Sequence, residues 1–281
     1  MAAAVTEVVV AQDPPPAITR PQRSRLGTHI ARILIIVAVL AFYFVPLFAT
    51  AAFGFSLPDV GFSLEPLTRA VGSRNGTDTI LLTLLLTVLT VVVSLGLLVP
   101  TLLFLHLKAP RYLGAAESLS LLPFVIPAVA LVSGANVFFR AIAPGFLVSP
   151  LSLVPFYVVL GLPLVYRSLD AGFRAIDVRT LWSASQSLGA TGLSTVLRVI
   201  LPNLGSALMS ASLLCAALTL GEYAVASLLL HQTFPVFMVS VGSSQPRGAA
   251  ALSFITIILT WLLLVAVSAV ASLGAKKRSK K

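Results

Sequence analysis

TILLTLLLTVLTVVVSLGLLVPTLLFL, residues 79–105, runs without one charged side chain. About 20 apolar residues are enough for a helix to cross a hydrocarbon core of roughly 30 Å, so this stretch reads as a membrane span. Apolar runs of similar character lie on both sides of it, at about 30–53, 118–139, 148–168, 204–230 and 250–273. Together they predict an all-α, polytopic membrane protein with six transmembrane helices. The composition agrees: 58% of the 281 residues are hydrophobic, 10% are charged and the mean hydropathy is +1.01. Soluble domains carry about 25% charged residues, so a soluble class is excluded.

Residues 1–29 hold Pro14, Pro15, Pro16, Arg20, Arg23 and Arg25 and few large apolar groups after Val10. They read as a disordered basic tail. The run at 30–53 lies too far from the start, and is too long, for a cleavable signal, so it reads as an uncleaved anchor. Residues 274–281 form a second basic tail. If both termini are cytoplasmic, fifteen Lys and Arg fall inside and only Arg69, Arg74, Arg140 and Arg247 outside. That asymmetry sets the orientation. It also accounts for the net charge of +10 without nucleic acid. The single cysteine, Cys215, excludes an internal disulfide and reads as a small packing residue.

In this topology LWSASQSLGATGLSTVLRVILPN, residues 181–203, is cytoplasmic, between the fourth and fifth spans. Asp177 is placed to cap a short helix carrying Leu181, Trp182, Ala184, Ser185 and Leu188. Gly189 ends that helix, because glycine tolerates left-handed geometry. Thr191 caps a second helix whose Leu193, Val196, Leu197, Ile200 and Leu201 recur at helical spacing and predict one apolar face. Pro202 marks the turn into the fifth span. Such a helix pair is either an interfacial hairpin that caps the bundle or a docking element for a soluble partner.

The spacing resembles the cytoplasmic signature of inner-membrane permeases of binding-protein-dependent ABC importers. That signature reads Glu-Ala-Ala, three residues, Gly, nine residues, Ile-x-Leu-Pro. Here the corresponding residues are Ser183-Ala184-Ser185, Gly189 and Val199-Ile200-Leu201-Pro202. LTLGEYAVASLL (218–229) is similar to the Gly-Glu-Phe segment of such permeases. LLPFVIPAVALVSG (121–134) resembles the third span of the polyamine, phosphonate, thiamine and iron group, and DTILLTLLLTVL (78–89) the start of the core module. The resemblance covers residues 76–273, a core of five spans, and implies a MetI-like fold. It implies that the hairpin is a pair of coupling helices docking on an ATP-binding subunit. The docking positions would be Ser183, Ala184, Ser185, Gly189, Ala190, Val199, Leu201 and Pro202. The departure is Ser183, where relatives carry a glutamate able to pair with a basic group.

No G-x-x-x-x-G-K-[ST] pattern occurs, so the chain carries no P-loop of its own. The resemblance therefore implies ATP and Mg on a partner ATPase, a second permease subunit, a solute-binding protein outside, and no cofactor in this chain. It implies a multi-pass protein of the cell inner membrane importing a small polar or charged solute such as a polyamine.

Glu222 is the one acidic residue that sequence places well within a span, and such groups mark pathways by default. It is a pathway candidate with Tyr223, the alternative being a hydrogen-bonded glutamate that pins two spans. Pro123 and Pro127 in the third span are candidates for a kinked pathway wall. Ser206, Ala207, Ser210 and Ala211 favour close helix packing. Residues 231–248 face outside, with Phe234, Val236, Phe237 and Val239 suited to a short half-buried element. His29, His106 and His231 are scattered and read as interfacial or surface residues. No catalytic pairing and no metal cluster stands out, so the chain reads as non-catalytic. A secondary transporter without ATP is the alternative, and it leaves the 181–203 hairpin unexplained.

Overall fold

The computed structural model describes residues 25–58, 60–72 and 76–278. Most of the expected N-terminal tail, and Arg20, Arg23, Arg74, Lys280 and Lys281 of the charge count, lie outside the described residues. Tertiary contacts divide the chain after Phe48 into two units. The first unit is the bulk of helix α1 (Arg25–Gly54), whose side chains from Ile30 to Val45 are exposed and almost all apolar.

The second unit starts with the end of α1. A two-residue β ladder follows, β1 (Ser56–Leu57) against β2 (Gly61–Phe62), antiparallel with Ser56 opposite Phe62. The rest is helical: α2 (Glu65–Val71), α3 (Gly76–Lys108), α4 (Leu113–Val125), α5 (Ala128–Ile142) and α6 (Leu153–Ala175). Then come α7 (Val178–Ser187), α8 (Gly192–Thr195), a π-helical turn at Val196–Ile200, and α9 (Leu201–Asn203). The chain continues through α10 (Gly205–Gly221), α11 (Ala224–Leu228), α12 (Phe234–Ser244) and α13 (Pro246–Arg278). The fold is all-α, and its long apolar helices make it a membrane-embedded protein.

Helices α3, α6 and α10 pack on one another and form the centre of the second unit. Small residues allow the approach of α6 and α10. Ala207, Ala211, Cys215 and Thr219 form a buried stripe at four-residue spacing on α10. A Cβ at Gly172 of α6 would collide with the Ala207 methyl. Ser168 Oγ donates to the Ala207 carbonyl at 3.3 Å. Of the small residues expected to pack within this chain or across a dimer, Ala207 and Ala211 pack within the chain, and Ser206 and Ser210 are exposed on it. Cys215 is buried beside Ser94, as expected of a packing residue.

On α3 the buried hydroxyls of Thr79, Thr83, Thr87 and Thr90 each donate to a carbonyl one turn earlier, at 2.7–2.9 Å. A polar group taken out of water is costly unless bonded, and a helix supplies these acceptors locally. This lets a polar stripe lie inside an apolar bundle.

Against the six spans expected from sequence, the described residues hold three to five candidates. Three helices are long and apolar enough to cross a membrane unaided: His29–Gly54, Gly76–Lys108 and Pro150–Ala175. Two more candidates are bent pairs. The expected third span breaks between α4 and α5 with a 96° bend. Pro127 imposes it: the residue before a proline is pushed out of helical geometry, and Ile126 is extended at φ −85°, ψ 118°. A 74° bend at Leu204 turns the chain into the expected fifth span, next to Pro202 where the turn is expected, and that span is itself broken at Glu222–Tyr223. The short element expected in 231–248 is α12, with Phe237 and Val241 buried against Ala70 and Leu252 while Val239 is exposed. The expected C-terminal tail continues α13 through Arg278.

Candidate functional site

The 181–203 segment folds as a helical hairpin, α7 followed by α8, the π turn and α9. Local bonds fix each end. Asp177, in the left-handed region at φ 41°, accepts from the Thr180 amide at 3.5 Å and from the Thr180 hydroxyl at 2.7 Å. At the other end the Gly189 amide donates to the Gln186 carbonyl at 2.9 Å and the Ala190 amide to the Ser185 carbonyl at 3.1 Å. These are the two bonds of a Schellman stop, and Gly189 supplies its left-handed residue at φ +80°. Thr191 then accepts from the Ser194 amide at 3.3 Å and opens α8. All three expected caps are present.

Side-chain hydroxyls clasp the two arms. Thr195 is fully buried; its hydroxyl is 2.9 Å from Ser185 Oγ and accepts from Gln186 Nε2 at 3.1 Å. Ser185 is thus turned inward as a structural group. Leu201 and Val196 pack toward the α3–α6–α10 core with Val178, Trp182 and the buried Ile200. Val199 and Pro202 are half-buried on the second arm.

The apolar face expected on the second arm forms only in part, through Val196, Ile200 and Leu201. Leu193 is 70% exposed and Leu197 54%, and across the turn Leu188 is 88% exposed. The π turn is the reason. It adds a residue to one turn and rotates what precedes it, so Leu193 leaves the face that holds Ile200 and Leu201, while Leu197 lies within the turn itself. Pro202 favours that wider turn, because it cannot donate to the Arg198 carbonyl and its ring crowds it. Ser183, Ala184 and Gly189 are exposed beside these leucines, and Ala190 is half-buried. The tip therefore presents apolar side chains and bare backbone outward.

The base of the hairpin is tied to the bundle by polar contacts that sequence reading missed. Asp170 lies on α6 and is buried. One carboxylate oxygen meets His106 Nε2 of α3 at 2.8 Å and the other accepts from Arg174 Nε at 2.8 Å. The His106 ring stacks on Phe173 at 5.3 Å. Arg179 of α7 donates to the His106 carbonyl at 3.0 Å. Asp170 is thus a second acidic group on a long apolar helix, near the end of α6, and His106 is half-buried in the last turn of α3. The signal available in sequence was that both lie near the same end of two neighbouring spans.

At the far end of α10 the Glu222 carboxylate accepts from the amides of Val225 at 2.9 Å and Ala226 at 3.4 Å. It caps α11 while its own residue closes α10. The buried Tyr157 of α6 also interacts with its side chain. Tyr223 beside it is exposed. Pro123 is buried within α4 and Pro127 is exposed at the start of α5. The segments after the two breaks, α5 and α11, pack together through Val132, Val225 and Ala226. Two interrupted helices thus meet in one apolar cluster.

No protein-family model matches the chain.

His231, expected at an interface or at the surface, is buried. Its Nε2 is 2.9 Å from the Leu147 carbonyl and 3.5 Å from Ser152 Oγ. A nitrogen facing a carbonyl must carry the proton, so it cannot take one from Ser152. The contact joins the loop after α11 to the chain before α6 and does not form a nucleophile–base pair. His29 is exposed, as expected.

Proposed function

We propose that this chain is a membrane-spanning permease subunit of an ATP-driven importer. The observation that carries the reading is the hairpin: a helix pair rigidly capped at Asp177, Gly189 and Thr191, seated on the core by Ile200, and exposing Leu188, Leu193 and Leu197. Exposed apolar side chains on an otherwise polar, well-ordered turn suit burial in a partner's groove. The register from Gly189 to Pro202 resembles that of coupling helices, which favours an ATP-binding subunit as the partner.

In this reading α7 to α9 lie in the cytoplasm between the fourth and fifth of six spans, and both termini are cytoplasmic. The membrane is the cell inner membrane. ATP and Mg belong to the partner, and the chain itself is non-catalytic. A second permease subunit completes the pathway and a solute-binding protein delivers substrate, a small polar or charged solute such as a polyamine. The coupling contact is made by Ser183, Ala184, Gly189 and Ala190 with the neighbouring leucines. Ser185, Val199, Leu201 and Pro202 shape the hairpin behind them. Ser183 offers a hydroxyl where a carboxylate is usual, so apolar contact through Leu188 and Leu193 takes the larger share of the joint.

The two helix interruptions, at Ile126–Pro127 and Glu222–Tyr223, support a pathway reading, because open backbone at membrane depth belongs where it is buried or lines a cavity. The test is purification from native membranes in mild detergent, followed by reconstitution. The account expects an ATPase subunit to co-purify and uptake to require ATP. Uptake that proceeds in vesicles with no ATPase subunit present identifies an ATP-independent secondary transporter instead.

A further inference from the structure

At the opposite end of the second unit from the hairpin, a cleft of about 560 Å³ opens between α2 and the start of α13. Phe53, Glu65, Arg69, Gln245 and Arg247 line it. We propose that this cleft holds the phosphate of a membrane phospholipid, with Arg247 as its principal donor and Arg69 as its second.

The cleft carries an excess of positive charge. Arg247 is half-buried, with its guanidinium 5.6 Å above the Phe53 ring. Among the described residues no carboxylate pairs with it. A partly desolvated cation without a counter-charge is costly, and an anionic ligand removes that cost. Arg69 pairs with Glu65, so those two cancel and the cleft keeps one net positive charge. A guanidinium fork fits phosphate oxygens well.

The cleft also lies at headgroup depth. Phe53 lies at the end of the apolar stretch His29–Gly54, and Arg247 is the second residue of α13, just before its apolar run. Both therefore mark the level where hydrocarbon meets headgroups, where arginine and aromatic side chains collect. The cleft is also preformed. Gly248 lets α2 approach so closely that a Cβ there would stand 2.8 Å from the Pro66 carbonyl oxygen.

The surface below Arg247 favours a lipid over a free anion. Phe254, Ile258, Trp261 and Val265 follow Arg247 by 7, 11, 14 and 18 residues and so continue its face of α13. Ile258, Trp261 and Val265 are exposed. An acyl chain descending from a phosphate at Arg247 meets this stripe, and inorganic phosphate makes no use of it. The site is remote from the hairpin and does not depend on coupling to an ATPase.

The test is native mass spectrometry of the full chain in detergent, titrated with phosphatidylglycerol. One tightly bound lipid is expected. Arg247→Gln should weaken it by about tenfold or more, the loss of a charge-assisted contact. Arg69→Gln should have a smaller effect, because Glu65 shares that guanidinium, and Trp261→Ala should weaken lipid without touching the phosphate donors. Arg140→Gln, a cation outside the cleft, should bind lipid like the wild type. If Arg247→Gln is not recovered folded, Arg247→Lys gives the same reading with a smaller loss. Unchanged lipid affinity in both the Arg247 and Trp261 variants overturns the proposal. Displacement of the lipid by millimolar inorganic phosphate, with Trp261→Ala silent, overturns it in favour of a free-anion site.

Discussion

His106 Nε2 stands 2.8 Å from Asp170 Oδ1 across 64 residues of chain, and it joins the last turn of α3 to the last two turns of α6. Arg179 reaches the same turn of α3 from α7, so the hairpin is anchored to two bundle helices through one residue. Asp170 is satisfied on both oxygens, which is what a buried carboxylate requires. The contact makes the position of α7 depend on the relative position of α3 and α6.

Removing one member of this cluster should be costly. Asp170→Ala leaves His106 and Arg174 without their shared acceptor and should lower stability by about 3 kcal/mol. Thermal unfolding of the purified protein in detergent measures this. Arg179→Gln removes only the bond to the His106 carbonyl and should change the melting temperature little. If the hairpin is the coupling element, Arg179→Gln should still lower uptake, since it loosens α7 alone.

The α6–α10 contact gives a reciprocal test. Gly172→Ala introduces a methyl against the Ala207 methyl, and overpacking of this kind costs roughly 1–3 kcal/mol. The double variant Gly172→Ala/Ala207→Gly exchanges the two methyls and should recover most of the loss. Equal melting temperatures for the single and double variants would show that the helices separate freely.

Gly189 is held at φ +80° with open space where a Cβ would go, so substitution there is a matter of backbone geometry alone. Gly189→Ala should cost about 1–2 kcal/mol locally, and Gly189→Asn less. Both should insert normally. Uptake should fall in the order Gly, Asn, Ala. Wild-type uptake by Gly189→Ala removes the tight turn from the coupling contact.

Glu222 has a structural duty that separates from any role in the pathway. Glu222→Ala strips the cap from α11 and should cost about 0.5–2 kcal/mol. Glu222→Gln keeps an acceptor oxygen and should retain most of that stability. A stable Glu222→Gln protein with impaired uptake of a cationic solute assigns the charge to the pathway; unimpaired uptake leaves Glu222 as a cap.

The legible part of this fold is the local part. Asp177, Gly189 and Thr191 could be read as caps because each acts on amides or carbonyls within a few residues. The apolar runs were equally plain. The angle of the bend at Pro127 was not, since proline forbids a helical predecessor without saying where the chain turns next. The outward direction of Leu193 and Leu197 was hidden by the π turn, which breaks the period on which the reading relied. The Asp170–His106 pair was hidden because nothing in the spacing of two residues 64 apart shows that their helices are neighbours. Glu222 reads as an isolated charge because two of its partners are backbone amides, which every residue carries, and the third, Tyr157, lies 65 residues away.

The central claim is that the hairpin tip docks on an ATP-binding subunit. A photo-crosslinking amino acid at Leu188, the most exposed of the tip's three leucines, tests it in intact membranes. The account predicts a single protein adduct containing an ATP-binding subunit, and its loss when Leu193→Asp is added. An adduct confined to lipid, in a protein that still transports, would contradict it.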